Sequence, residues 1–283
     1  MILLLNSMAH FLVDGLCAAT VYGQIGQNRA LLLLLYNTLA FSTQCLVGLW
    51  ADKMRRVRYL EAVSALLLVS GYILPVSGLI KIILIGAGNS GFHVAGGVMT
   101  LRESKGKAAK LGVFVSPGAI GLMLGALYPN LGAVFAALLV AAVGIVVVKE
   151  KETDAPSESV AMQTGKTAAQ APELLPVLLL TSAVAVRAIG GSAVHFPWKH
   201  GAAGALLMTA FVAGGKTAGG YLCDSIGYQK AALFSLIPAS ILIAFCSSWA
   251  VPSLLGQFAL NLTMPVTLWL LYRIMPDSPG LSL

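Results

Sequence analysis

The chain has 283 residues, of which 58% are hydrophobic and 10% charged, with a mean hydropathy of +0.85. Water-soluble domains carry about 25% charged residues, so this composition excludes a soluble globular protein and points to a polytopic membrane protein in a lipid bilayer. The net charge of +7 reports on which loops stay in the cytoplasm before it reports on a nucleic-acid partner, and no such partner is expected.

The N-terminus opens directly into an apolar run, MILLLNSMAHFLVDGLCAATVYG. It has no basic leader, and His10 and Asp14 interrupt it, so it reads as a first spanning helix and not as a cleaved signal. A span needs roughly 20 mostly apolar residues. Ten segments qualify, at about 2–23, 30–51, 59–77, 79–101, 110–128, 131–148, 174–195, 203–223, 230–247 and 251–273. Between the sixth and seventh lies KEKETDAPSESVAMQTGKTAAQAPE, polar and without apolar period, which reads as a linker. The expected organisation is a six-helix half over 1–148, a linker over 149–173 and a four-helix second half over 174–283. The four cysteines are far apart, with no metal or disulfide spacing. No metal and no cofactor are expected.

Basic residues cluster in alternate loops: Lys53, Arg55, Arg56 and Arg58 after the second span, then Arg102, Lys105, Lys107 and Lys110 after the fourth. Basic loops remain inside, so both termini and the linker are expected in the cytoplasm. A cysteine reagent added outside should then label position 129 and spare position 160. Labelling of 160 in intact cells would reverse the orientation.

The stretch AFVAGGKT at 210–217 fits the loose form of a phosphate-binding loop. Such a loop must follow a strand and open a helix, so that backbone N–H groups face the phosphates. Here it lies inside a continuous apolar span, where irregular backbone facing lipid is forbidden. The glycines suit close helix packing instead, and no nucleotide partner is expected.

An internal repeat links the two halves. Gly48 and Gly220, Asp52 and Asp224, and Asn89 and Asn261 are each separated by 172 positions. Two halves repeating in one orientation is a transporter architecture, with the substrate site expected at the repeat interface near the membrane midplane.

The stretch GLWADKMRRVR resembles the loop signature between helices 2 and 3 of the major facilitator superfamily. Met54 and Arg55 stand where that family has an aromatic residue and a glycine. GYLCDSIG resembles the weaker second copy. The stretch GNSGFHVAGGVMTLRESKGKAAKLGVFVSPGAIG resembles the helix 4 to helix 5 region of the fosmidomycin-resistance branch, and SPGAIGLMLG partly resembles the helix-5 motif of antiporters. The implied fold is an all-α major-facilitator-like bundle whose helices 1, 4, 7 and 10 line a central cavity. The 172-residue shift puts helices 11 and 12 at about 282–320, beyond Leu283. The second half is therefore expected to be truncated, with Asp52 deprived of one partner.

An ionisable group deep in a span normally faces a partner or water. Polar residues fall on all four helices that the resemblance assigns to the cavity: His10 and Asp14 in the first, Asn89 and His93 in the fourth, Arg187 in the seventh, Asn261 in the tenth. Asn6, Gln44 and Lys216 are further cavity candidates. The structural alternatives are interhelical hydrogen bonds for the two asparagines, a satisfied histidine at 93, and an ion pair of Asp14 with Arg187. The resemblance makes Gly48, Asp52, Lys53, Arg55, Arg56, Gly220 and Asp224 a cytoplasmic gate.

These features imply a secondary transporter, and not an enzyme, in a bacterial inner membrane. It would move a small organic solute by proton-coupled efflux, with Asp14 and His10 as the proton site, because a carboxylate away from water favours its neutral form. Proton-coupled uptake is the alternative direction. A truncated, non-transporting remnant or assembly protein is the alternative class.

Overall fold

The computed structural model describes residues 1–26, 29–149 and 174–283. The described residues form helices, with no strand among them. We number the helices in chain order. α1 is Ile2–Gln24 and α2 is Arg29–Ala51, the latter with a π-helical turn at Thr38–Ser42. α3 is Val57–Ile73, α4 Gly78–Ser104, α5 Ala109–Leu127 and α6 Gly132–Lys149. After the undescribed residues 150–173, where the sequence places its linker, come α7 Leu174–Ala193, α8 Gly201–Ile226, α9 Tyr228–Cys246 and α10 Ala250–Ile274. The ten helices coincide with the ten expected spans to within a few residues. Among the described residues, seven are long and apolar enough on their own to cross a membrane. The other three are α3, which with 17 residues falls just short of the length, α7, whose apolar stretch is the shorter Leu174–Ala188, and α8, whose apolar run is diluted by glycines, Thr217 and Lys216.

The chain forms two compact units. One comprises Met1–Glu103, Pro117–Pro156 and Asp277–Leu283; the other comprises Ser104–Ser116 and Ser157–Pro276. Two short pieces therefore sit apart from their neighbours in sequence: the first two turns of α5 count with the second unit, and the last seven residues with the first.

In a bilayer, apolar burial does not drive helices together, because lipid is as apolar as leucine; close backbone approach does. The first unit follows this rule. Gly121 of α5 lies on the carbonyl of Phe11, and Gly125 lies on that of Gly15, so α1 and α5 meet backbone to backbone. On its other side Gly15 faces the ring of Phe135 in α6, where an added Cβ would stand 3.0 Å from it. Gly88 and Gly91 fit α4 against Ser64 of α3. Leu12, Leu16, Phe92 and Leu139 fill the space between these helices and are fully buried. Large side chains such as Leu31, Leu34 and Val148 point outward, as lipid contact requires.

The second unit uses the same device. Gly215 and Gly219 of α8 lie on the carbonyls of Phe258 and Leu262 in α10. On another side of α8, Gly112 of α5 meets the carbonyls of Lys216 and Thr217, Gly220 meets that of Ala108, and Ser116 Oγ donates to the Ala213 carbonyl at 2.8 Å. The phosphate-loop-like stretch is thus a packing seam inside an unbroken helix. α8 and α9 are joined by Gly227 alone, at φ +84, a conformation for which glycine is suited.

The 172-residue offset recurs in these contacts. Gly71 in α3 packs on Leu84 and Ile85 of α4. The same two positions in the second unit are Ile243 and Gly256, which pack together with the glycine on the opposite helix. Of the aromatic residues near span ends, Trp50, Tyr59, Tyr128 and Trp249 are exposed, but Tyr272 is buried and belongs to the core.

Candidate functional site

α1 carries Asn6, His10 and Asp14 one turn apart, and α4 carries Asn89 and His93 one turn apart. In the first unit these two stripes face each other. His10 Nε2 lies 3.3 Å from Asp14 Oδ2, and His93 Nε2 lies 3.7 Å from Asp14 Oδ1. Asn89 Nδ2 donates to Asp14 Oδ1 at 3.2 Å and stands 3.6 Å from Cys17 Sγ. His93 Nδ1 is 2.9 Å from the Asn89 carbonyl. A carbonyl only accepts, so Nδ1 carries the proton and Nε2 is the atom turned toward Asp14. The two imidazoles meet edge to face at 4.5 Å, and Phe92 packs against both, at 6.1 and 6.0 Å. Phe41, on the π-helical turn of α2, lies 6.5 Å from His93. His10 is nearly enclosed, whereas Asp14 and His93 keep 14% and 18% of their side-chain surface open.

Four of the six principal candidates are thereby brought together. Asn6 lies one turn from His10, fully buried, with no hydrogen-bond partner for either amide atom. The others sit elsewhere. Gln44 donates to the Ala40 carbonyl at 2.8 Å, beside the π-helical turn. Arg187 belongs to the second unit, half-buried, with Nη1 3.4 Å from Thr267 Oγ1 of α10. Asn261 donates to the Gln257 carbonyl of its own helix at 2.8 Å. It therefore shares an offset with Asn89 but not a use, since Asn89 reaches across to α1. Lys216 is half-buried within α8.

Sequence reading missed three residues. Gly118 of α5 lies directly over His10 and Asp14; a Cβ there would collide with His10 Nε2 and Asp14 Oδ2. Phe92 fixes the two imidazoles. Glu61, in α3, is a fully buried carboxylate within a span. The SPGAIG stretch was a pointer to the first, but nothing in a single sequence says which turn of α5 crosses α1. The sequence also shows no metal-ligand spacing, yet the fold assembles one carboxylate and two imidazoles whose donor atoms all lie within 4.8 Å of one another.

The residues expected at the cytoplasmic gate include two aspartates that make contacts of one design. Asp52 accepts the N–H of Gly280 at 2.6 Å and that of Leu281 at 3.1 Å. Asp224 accepts the N–H of Ala108 at 2.8 Å and that of Ala109 at 2.9 Å, at the start of α5. Acceptors and donors alike are 172 positions apart. The glycines match too: Gly48 lies on the backbone of Gly280, Gly220 on that of Ala108. Asp52 is therefore not deprived of its partner, as expected from sequence; the chain's last residues supply it. Burial pushes the Asp52 carboxyl up, outweighing the two N–H groups and nearby Arg102 that draw it down. Lys53, Arg55 and Arg56 are exposed, and Arg56 lies 5.9 Å from the Tyr59 ring. Met54, where the resembling signature has an aromatic residue, packs on the buried cluster of Ala51, Val57 and Val98.

No protein-family model matches the chain, and no curated protein matches it. Solved structures do. A major facilitator superfamily transporter, FucP, in the outward conformation is 14% identical with a TM-score of 0.66, covering 99% of this chain and 86% of that chain. The E. coli fucose:proton symporter FucP, in a variant form, is 16% identical with a TM-score of 0.63, covering 99% of this chain and 85% of that chain. At such identities the likeness gives the fold, which is that of major facilitator transporters.

Proposed function

We propose that this integral membrane protein is a secondary active transporter that couples movement of a small organic solute to protons by alternating access. The observation that carries the reading is the His10–Asp14–His93 group. It places one carboxylate and two imidazoles, partly open, between two largely apolar helices. A charge at such depth costs about 3 kcal/mol on insertion scales, a cost that a proton-binding role would justify. Arg187, with its guanidinium at Thr267, is the candidate to bind an anionic group of the solute. The paired contacts of Asp52 and Asp224 serve the gate. The membrane is a bacterial inner membrane with both termini cytoplasmic.

Efflux is the direction favoured by the fosmidomycin-resistance-like stretch. Uptake by symport is the competing direction, and the likeness to a fucose:proton symporter speaks for it. Proteoliposomes holding a pH-sensitive dye separate the two. An imposed pH gradient should drive fosmidomycin against the proton flow for efflux, or L-fucose with it for uptake. Absence of solute-dependent proton movement with either probe and with a panel of organic anions and sugars would sink proton-coupled transport.

A further inference from the structure

We propose that His10, Asp14 and His93 also bind one divalent transition-metal ion, of the zinc and cobalt class, which the carrier moves in addition to its organic solute. The inference rests on the transporter reading, but the site stands on its own geometry. Bonds of about 2.1 Å to nitrogen and oxygen put tetrahedral ligand atoms about 3.4 Å apart. The two imidazoles approach the two oxygens of Asp14 at 3.3 and 3.7 Å, and one donor atom from each residue falls within 4.8 Å of the others, so small side-chain adjustments bring all three onto one ion.

The chemistry of the donors agrees. Two imidazole nitrogens and one carboxylate suit zinc, cobalt or iron, and disfavour calcium and magnesium, which take oxygen ligands. Ligating histidines usually donate their second ring N–H to a carbonyl or carboxylate, which fixes the tautomer. His93 does so with the Asn89 carbonyl, and Asn89 Nδ2 orients the Asp14 oxygen that faces His93. Phe92, fully buried, packs on both rings, so the donors are held before the ion arrives. Gly118 keeps clear the space beside His10 Nε2 and Asp14 Oδ2 that any side chain would fill. The open edges of Asp14 and His93 leave a way in for the ion and positions for water or solute on it.

The test begins with the purified full chain, stripped with chelator and titrated with Co²⁺. One ion per chain should bind, with visible absorption bands of cobalt held by nitrogen and oxygen. His93→Gln and Gly118→Ala should each weaken binding about 10- to 100-fold or more. His195→Gln, at an exposed histidine of the other unit, should leave it unchanged. Gly118→Ala alters no ligand, so its loss of binding reports space at the site; His93→Gln keeps the test decisive if Gly118→Ala fails to fold. Proteoliposomes loaded with Zn²⁺ should then exchange it for external ⁶⁵Zn without a proton gradient, and His93→Gln should not. Absence of stoichiometric Co²⁺ binding, or binding equally strong in the two site variants, overturns the metal site while the dye experiment still judges proton coupling. Binding without zinc exchange overturns the claim that the ion is carried.

Discussion

Asp14→Asn is expected to reduce pH-gradient-driven transport to background while leaving the protein folded. The substitution removes the sole carboxylate of the His10–Asp14–His93 group and almost nothing else. The amide oxygen can still accept from Asn89 Nδ2, which now bonds Asp14 Oδ1 at 3.2 Å, and the side-chain volume is kept. The variant therefore imitates a permanently protonated site. Solute exchange without net proton movement should survive, because the walls of the site do not move. Transport in vesicles, normalised to folded protein, decides the matter. Full coupling in Asp14→Asn would eliminate Asp14 as the proton carrier and shift the role to His10 or His93. A fall in expression larger than the fall in specific activity would make Asp14 a structural charge, since removing one member of a buried pair strands the other. Arg187→Ala separates the remaining roles: a solute-binding arginine should raise the KM and leave proton leak unchanged.

The parts of this molecule legible in its sequence are those written in local periodicity. The ten helices follow from apolar run length, seven of them long and apolar enough to cross a membrane, and the stripes of His10 with Asp14 and of Asn89 with His93 follow from a spacing of four. Even the 172-residue repeat is a comparison of the chain with itself. What was not legible depends on which faces meet. The spacing that puts His93 on one face of α4 is silent on Asp14 facing it, and silent on Gly118 of α5 closing over both. Asn261 shows the converse. Its offset from Asn89 suggests a shared role, yet it bonds back to Gln257 of its own helix, a choice set by packing that no pattern encodes. Glu61 escaped notice because it sits near the basic loop, where charges are expected to be solvated, and yet it is fully buried.

The repeat also predicts a difference between its two copies. Asp52→Ala should destabilise the protein by about 2–3 kcal/mol, and Asp224→Ala by about 1–2 kcal/mol, from the net worth of hydrogen bonds to a charged acceptor. Each carboxylate accepts two backbone N–H groups, so a simple count of bonds would make the losses equal. Their surroundings do not. Asp52 is half-buried, and its shorter bond, to Gly280, is 2.6 Å; Asp224 is exposed, with both bonds near 2.9 Å. Solvent screens the second contact more than the first. Asp224 does have one compensation, since it sits at the N-terminus of α5, where a negative charge complements the helix dipole. Thermal unfolding followed by tryptophan fluorescence measures both losses. Deleting residues 280–283 should cost more than Asp52→Ala, because it also takes Leu283 off the cluster of Ala51, Val57 and Val98 and Gly280 off Gly48; Asp52→Ala added to that deletion should cost little more, because the N–H groups it accepts from are already gone. The same deletion added to Asp224→Ala should be additive. An additive loss in the first combination would mean that Asp52 stabilises the fold through some other group, and the correspondence between the chain's last residues and the start of α5 would lose its physical basis.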